Sequence, residues 1–501
     1  MGRSISIIAL AATLAAPVSA ETLRDALAKA YRDNPTITAS RAQQQATDET
    51  VPLAKAAGRP GVSATASVTD NVIRSGNSFT TPERAAQGGV QLSVPIYSGG
   101  AVRNSIRAAE TRVEAGQAGL RGTEAATFTN VVAAYNNVLR DEAIVSLNAQ
   151  NVKVLETNLK AAQDRFQVGD LTRTDVAQSE ARLSLARAQL QGAQANLISS
   201  RENYVQLVGE APGTLEPPPP LPNLPDSPDV AVDVALQDNP DLIATRRQRD
   251  ATRYDVKVAR ASRLPSVGVG VGENFTSYLG TLGAGTGLGV GQTGAATSIG
   301  VNLKLPIFQG GRPAAQIRQA QALRSQAIEN ATAAERQVIA QTRSAYAVWR
   351  SALEVIKSSE TAVSANRLSL EGVRAENSVG NRTILDILNA EQELLNSQVT
   401  LVSARRDAYV AGFALLAAMG KAEARDLGLD GGPLYNPADN YNAVKNRISD
   451  FGAAPDPAAI APATTKVPAQ DATVTRPLDP ELDTPVDRNA RLTTGEHAPN
   501  R

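Results

Sequence analysis

The chain has 501 residues, in which 50 Lys and Arg balance 50 Asp and Glu, so the formal net charge is zero. A neutral chain has no overall field that draws it to nucleic acid, and we expect no nucleic-acid partner. Cysteine is absent and His497 is the only histidine, which leaves no thiolate nucleophile, no disulfide and no Cys/His metal site. We therefore expect neither an enzyme nor a bound cofactor or metal. Phe, Trp and Tyr make up only 4% of the residues, which indicates thin layers or long helices.

The first 20 residues have the pattern of a signal peptide. Arg3 precedes an apolar run from Ile5 to Ala16, and Val18-Ser19-Ala20 supplies the small residues of a cleavage site. We expect the mature chain to begin at Glu21 and to be exported; a buried N-terminal helix is the alternative. No later stretch approaches the roughly 20 apolar residues of a transmembrane helix, so any membrane span would consist of strands.

The rest of the chain contains two copies of one unit. Asp33-Asn34-Pro35 recurs as Asp238-Asn239-Pro240 at an offset of 205 residues. Val94–Gly100 recurs as Leu305–Gly311 at an offset of 211 residues. Internal similarity over such a long period predicts two structural repeats with the same order of elements.

This duplication sets the domain organisation. Four consecutive prolines, Pro217–Pro220, exclude a helix between the copies and favour an extended linker. After Leu429 the helical periodicity stops and the composition becomes rich in Pro, Ala and Asp, which is typical of disorder. The predicted divisions are a signal peptide at 1–20, a first repeat at 21–210, a Pro-rich linker at 211–228, a second repeat at 229–429 and a Pro-rich disordered tail at 430–501.

Each copy is predicted to contain a helix, two strands and a long helical hairpin. The strand residues alternate between apolar and polar or small side chains, as in a sheet with one apolar face. In the hairpins, apolar or small residues recur at alternating steps of three and four, which indicates coiled coils. A run of about 65 residues rising 1.5 Å each is on the order of 100 Å long. The predicted strands are 61–74, 88–97, 264–279 and 296–308, and the predicted hairpins are 100–209 and 311–420.

Four strands per chain cannot close a membrane barrel. Bacterial barrels need at least eight strands, and an open sheet edge cannot lie in lipid. Two chains would give eight strands around a filled interior, whereas three would give twelve and leave a lumen. The small and polar residues of the inward faces favour three chains. A soluble sandwich with lateral helices is the alternative, but it leaves the long hairpins without a partner.

Three groups of residues carry a family resemblance. They are the mature start Thr22–Leu27 leading to Asp33-Asn34-Pro35, the Pro-Ile-aromatic-x-Gly-Gly elements at Pro95 and Pro306, and the duplicated turn sequences Phe166–Asp175 and Ser378–Ala390. Through them the chain, from roughly Glu21 to Leu429, resembles the TolC-type outer-membrane efflux and type I secretion channels. The alternative from another class is a non-transporting periplasmic coiled-coil scaffold or adhesin.

The resemblance implies a mainly α protein with β structure. Its protomer is a tandem repeat in a homotrimer, whose 12-stranded β-barrel (four strands per chain) lies in the outer membrane of a Gram-negative bacterium. The barrel continues into a long periplasmic α-helical coiled-coil barrel. The implied function is the exit duct of a tripartite efflux pump or type I secretion system, gated at its periplasmic end. The implied partners are a periplasmic adaptor, an inner-membrane ABC or proton-driven transporter, and outer-membrane lipid, with drugs, heavy metals and secreted polypeptides as alternative cargoes.

The turns between the paired helices are the first candidate site. Val168-Gly169 and Val379-Gly380 join the helices at the end remote from the barrel, where glycine allows the positive φ of a tight reversal. The resemblance implies that these tips mesh with the hairpins of the periplasmic adaptor. A simple helix C-cap is the alternative.

The resemblance also implies a charged gate after the second turn. In a trimer Asp386 would form a ring of three carboxylates, which attracts cations at a constriction. The family has a second aspartate where this chain has Asn389, which predicts weaker cation selectivity and weaker block by multivalent cations. Arg382 resembles the arginine that locks the closed gate, with Thr174 and Asp175 of the neighbouring hairpin as its partners. A surface ion pair of little energetic value is the alternative.

Three further positions bear on these sites. The family has a tyrosine three residues before the second-turn glycine, where this chain has Asn377, so one contact of the implied lock is missing. Tyr97 and Phe308 are equivalent positions at strand ends and suit an interfacial aromatic girdle. Core packing in the equatorial region is the alternative for these two rings.

Overall fold

The computed structural model describes residues 20–73, 79, 81–287, 289–429, 434–452 and 455–483. All of the predicted signal peptide except Ala20 lies outside the described residues. The described part of the chain is mainly helical and contains one sheet of four strands. Within these ranges, no helix combines the length and the apolar character needed to cross a membrane.

The first repeat contains three short helices, two strands and two long helices. These elements are α1 Leu23–Asp33, α2 Pro35–Asp48, α3 Thr50–Ala56, β1 Gly61–Asp70, β2 Arg84–Tyr97, α4 Ala101–Gln167 and α5 Arg173–Val208. Compared with the predicted 61–74 and 88–97, β1 ends earlier and β2 begins earlier.

The second repeat has the same order with two short helices in place of three. Its elements are α6 Pro228–Asp238, α7 Pro240–Ala261, β3 Ser266–Ser277, β4 Thr293–Lys304, α8 Arg312–Ser378 and α9 Ile384–Ala418. A short helix, α10 Pro437–Val444, follows it. β4 ends at Lys304, before the predicted residue 308, because Lys304 lies opposite Ser266, where the partner strand β3 begins.

The repeated Asp-Asn-Pro sequence ties each repeat to its own hairpin. Asn34 caps α2 and Asn239 caps α7 through side-chain oxygens, and a proline follows at the first helical position in both. The amide nitrogen of Asn34 donates to Leu207 O at 2.8 Å, and that of Asn239 donates to Ala418 O at 2.9 Å. Each motif therefore begins a helix and also binds the end of the hairpin helix beside it.

The sheet has the order β1-β2-β3-β4 and is antiparallel throughout. One row across it consists of apolar residues, Val62, Leu92, Val271 and Ile299, and the adjacent row consists of small or polar residues, Ser63, Gln91, Gly272 and Ser298. Every residue of β1 and β4 is exposed in the single chain. The sheet thus presents a bare apolar face, a bare polar face and two free edge strands.

The long helices give the molecule its length. α4 and α8 have 67 residues each, and at 1.5 Å per residue each is about 100 Å long. α5 and α9, with 36 and 35 residues, pack along about half of that length. α2 and α7 pack on the other half of α4, where Arg112 Nη2 lies 2.5 Å from Asp255 Oδ2. The predicted architecture of four strands and long helical hairpins per chain is confirmed.

The largest apolar core surrounds the middle of α4. It gathers most of the large buried rings of the described chain: Phe128, Tyr135, Tyr204 and Phe413. Tyr135 is fully buried, and its Oη lies 2.8 Å from Glu21 O and 2.6 Å from Glu216 O. One hydroxyl proton is therefore shared between the start of the mature chain and the interrepeat linker.

The segment after Leu429 differs from the expected disorder where it is described. Asn440 of α10 donates to Asp48 Oδ2 of α2 at 2.8 Å. Val444 and Leu482 are buried, at 7% and 3% exposure. The average composition of the segment does not reveal these contacts, because only a few of its residues, both polar and apolar, make them.

Replacing Tyr135 by Phe removes the shared hydroxyl. We expect the free energy of unfolding to fall by about 1 kcal/mol, because a carbonyl beside the buried ring loses its donor. The measurement is thermal unfolding of the detergent-purified protein by circular dichroism. Tyr346→Phe at the equivalent position is the control: Tyr346 Oη donates to Asp226 O at 2.8 Å, but this ring is only partly buried and water can replace the hydroxyl. Equal shifts in melting temperature would contradict this account.

Candidate gate and hairpin tips

Each helical hairpin ends in a turn of the same geometry. Gly169 has φ of +84° and Gly380 has φ of +83°. Residues with a β-carbon are strained at such angles, so both turns require glycine. The preceding valines, Val168 and Val379, are 79% and 70% exposed. Each tip therefore presents an apolar side chain to its surroundings.

The helix that follows each turn starts with a capping box. Asp386 Oδ2 accepts hydrogen bonds from Thr383 N at 2.9 Å and Thr383 Oγ1 at 2.7 Å. Asp175 accepts the same two bonds from Thr172, at 2.9 and 2.7 Å. Sequence reasoning missed this role, although the Thr-x-x-Asp spacing before α5 and α9 is its signal. The two aspartates start their helices as well as being candidate gate residues.

Asp386 keeps its negative charge. Hydrogen bonds from the side chain and backbone of Thr383 hold the pKa of the Asp386 carboxyl below its ordinary value, and the nearby positive charge of Arg382 acts in the same direction. In the described ranges, acidic and histidine side chains nowhere form a group of three suited to a metal ion. Asp386 therefore provides a fixed single charge per chain.

Arg382 is paired within its own hairpin. Its Nε lies 2.6 Å from Glu376 Oε2 of α8, and both side chains are about half exposed. Asn377 Nδ2 donates to Arg382 O at 2.7 Å. Among the described residues of this single chain, no hydrogen bond or ion pair joins Arg382 to Thr174 or Asp175, which belong to the other hairpin. The contact across hairpins remains a prediction.

Asn389 connects the two hairpins near their tips. Arg182 Nη2 of α5 donates to Asn389 Oδ1 of α9 at 2.7 Å. Asn389 lies three residues, or about one turn, after Asp386. The guanidinium of Arg182 therefore binds the side chain at position 389, which the sequence alone did not indicate.

A buried ion pair lies further along α9. Glu391, 5% exposed, accepts hydrogen bonds from Arg374 Nη2 of α8 at 3.0 Å and from Asn158 Nδ2 of α4 at 2.9 Å. Breaking a buried pair leaves an uncompensated charge, so these contacts fix α4 relative to α8 and α9. Sequence reasoning missed this network; its signal is a charged residue between the buried Leu388 and Leu394.

The two predicted girdle residues lie at different distances from their strands. Tyr97 is the last residue of β2 and is 48% exposed. Phe308 follows the end of β4 and is 88% exposed. Neither ring is buried in this chain, so core packing within one chain does not account for them.

The sequence matches one family of known proteins. The family model described as outer membrane efflux protein matches residues 26–210 and 231–421, which correspond to the two repeats. The outer membrane efflux protein BepC of Brucella suis is 37% identical over 427 residues, which cover 85% of this chain and 91% of BepC. The outer membrane protein TolC of Escherichia coli is 27% identical over 429 residues, which cover 81% of this chain and 84% of TolC.

A solved structure has the same fold. The crystal structure of the Campylobacter jejuni CmeC outer membrane channel aligns with a TM-score of 0.71 at 18% sequence identity, over 85% of this chain and 89% of CmeC. The family model covers both repeats, and the resemblance to TolC-type channels is confirmed. The chain belongs to the outer membrane efflux protein family, and it is an outer-membrane protein with a large periplasmic portion.

Proposed function

We propose that this chain is the outer-membrane exit duct of an efflux system and works as a homotrimer. The observation that carries the proposal is a four-stranded sheet with two bare faces and two free edges, attached to helices of about 100 Å. Three such sheets joined edge to edge give a closed ring of 12 strands, as lipid requires. The name of BepC favours efflux over protein secretion as the transport served.

The periplasmic tips are the docking site of an adaptor in this proposal. Val168 and Val379 are exposed apolar residues on turns that Gly169 and Gly380 make tight. Association with a partner would bury both valines. The adaptor in turn would connect the duct to an inner-membrane transporter, ABC or proton-driven, which supplies the energy for export.

The proposed duct is tested with the purified protein in a planar lipid bilayer. We expect a trimer band that dissociates on heating and stepwise ion conductance, because three sheets close around water. A photocrosslinker at Val168 or Val379 should form adducts with the adaptor, whereas one at the exposed Leu368 of α8, away from the tip, should not. A stable trimer that passes no ions would instead be the scaffold or adhesin.

Asp386 is proposed to set the cation preference of the duct. Its carboxyl is ionised and its position is fixed by the capping box with Thr383. Because its pKa is lowered, the charge persists as the pH falls and is lost only below the ordinary carboxyl value of 3.8. Cation preference should therefore be constant through neutral and mildly acidic pH.

Adding a second carboxylate tests this assignment. Asn389→Asp should raise the cation-to-anion permeability ratio and the block by multivalent cations, but only modestly, because Arg182 lies within hydrogen-bond distance of this position. Combining it with Arg182→Gln should raise both several-fold, since the added charge is then unpaired. Arg182→Gln alone is the control. If the double variant left both quantities unchanged, these residues would not line a constriction.

Arg382 is proposed to hold the closed gate through Thr174 and Asp175 of a neighbouring hairpin. Arg382→Ala should raise single-channel conductance, because charge-assisted hydrogen bonds across the gate are lost. Glu376→Gln is the matched control, since it removes only the pair within the hairpin. If conductance rose equally in both variants, the gate would be held by the Arg382–Glu376 pair within the hairpin. If it rose in neither, Arg382 would form only a surface ion pair.

A further inference from the structure

Residues 471–483 lie across the groove between the two helical hairpins of one chain. This segment combines acidic residues with proline and leucine, and ends in Leu478-Asp479-Pro480-Glu481-Leu482-Asp483. It contacts α4 and α5 on one side and α8 and α9 on the other. A short stretch of chain thus joins helices that belong to different repeats.

Opposite charges hold the segment to the second hairpin. Arg405 Nη1 of α9 lies 3.1 Å from Asp479 Oδ2, and its Nη2 lies 2.8 Å from Glu481 Oε2. Arg367 of α8 donates to the carbonyl oxygen of Glu481. The three side chains of these ion pairs are 35%, 39% and 71% exposed, so dissolved salt screens the pairs.

The first hairpin binds mainly the backbone of the segment. Arg201 of α5 donates to Asp471 O at 2.8 Å and to Thr473 O at 2.9 Å. The same guanidinium lies 2.6 Å from Glu142 Oε1 of α4, which holds it in position. Gln150 Nε2 of α4 donates to Asp483 Oδ1 at 2.7 Å. Both ends of the segment are therefore attached to this hairpin.

Leu482 is the most deeply buried apolar side chain of the segment. Leu482 is 3% exposed in a cluster with Leu147 and Val402, and Gln398 Nε2 donates to Leu482 O at 2.8 Å. A cleft of about 310 Å³ remains beneath the segment, lined by Leu139, Tyr409 and Val474 among others. Ala472, Val474 and Leu478 are only partly buried against the neighbouring clusters, so most of the segment is less deeply packed than Leu482, which suits reversible attachment.

We propose that residues 471–483 are a releasable clasp that keeps the two hairpins of each protomer together and favours the closed tip. This inference rests on the proposed duct function and adds regulation to it. Gln150, which binds Asp483, lies about 26 Å from the end of α4, so the clasp sits between the central core and the tips. In this proposal the tip opens when α8 and α9 move away from α4 and α5, and a tie at this level restrains that movement.

The first test removes the charges of the clasp from the full-length chain. Asp479→Asn/Glu481→Gln should raise single-channel conductance several-fold at low salt. The ratio to the parent should approach one in about 1 M salt, because screening weakens the pairs of the parent as well. Asp450→Asn/Asp456→Asn removes the same charge from exposed positions of the C-terminal segment and should leave conductance unchanged.

The second test measures attachment itself. The chain has no cysteine, so Gln150→Cys/Asp483→Cys offers a single pair for a short bis-methanethiosulfonate crosslinker. Crosslinking should lower conductance, and a reductant should restore it. Its yield should fall several-fold when Asp479→Asn/Glu481→Gln is added.

The proposed clasp is contradicted if the charge variant conducts like the parent at low salt, or if the crosslinking yield does not depend on these charges. Failure of the duct itself has a different signature. In that case the parent passes no ions, while the crosslinking yield still reports whether the segment is attached.

Discussion

The free edges of the sheet are the constraint on which the remaining architecture depends. In the described part of the chain, β1 and β4 each pair with one strand, so each carries a row of backbone N–H and C=O groups that need partners. Lipid supplies none. Pairing β1 of one copy with β4 of the next satisfies both rows, and such a head-to-tail contact generates a ring where the rotation between copies closes. Duplication thus produces a protomer with two different, complementary edges.

The low aromatic content follows from where the large side chains are buried. Large rings are concentrated where the short helices, the linker and both hairpins meet, as with Tyr135 and Phe413. Elsewhere the long helices pack mainly through Ala, Val and Leu, in smaller clusters such as the one around Leu183 and Leu388. Small side chains allow long helices to approach closely along their length. Long helices packed in this way need few aromatic residues, whereas a thick globular core would need many.

The elements could be predicted from the sequence because their signals are local. The strands are predicted from alternating apolar and polar residues over about ten positions. The long helices are predicted from apolar residues at steps of three and four over about sixty positions. Both patterns depend only on residues that are close in the sequence. The candidate site was harder, because its contacts join distant residues. Nothing near Asn389 in the sequence reveals that Arg182 binds it, and the attachment of Leu482 to α9 was hidden by a composition typical of disorder. The capping role of Asp386 was predictable from Thr383 three residues earlier and was missed.

The two hairpins share their tip geometry and differ in the charges behind it. At the offset of 211 residues, Glu391 corresponds to Glu180 and Arg374 to Gln163. Glu180 is exposed, whereas Glu391 is buried against Arg374. Burying a carboxylate is costly without compensating partners, and in the second hairpin Arg374 supplies a positive charge to the carboxylate of Glu391. Arg382 likewise corresponds to Leu171 and Glu376 to Arg165, so the ion pair beside the second turn is not repeated at the equivalent positions of the first.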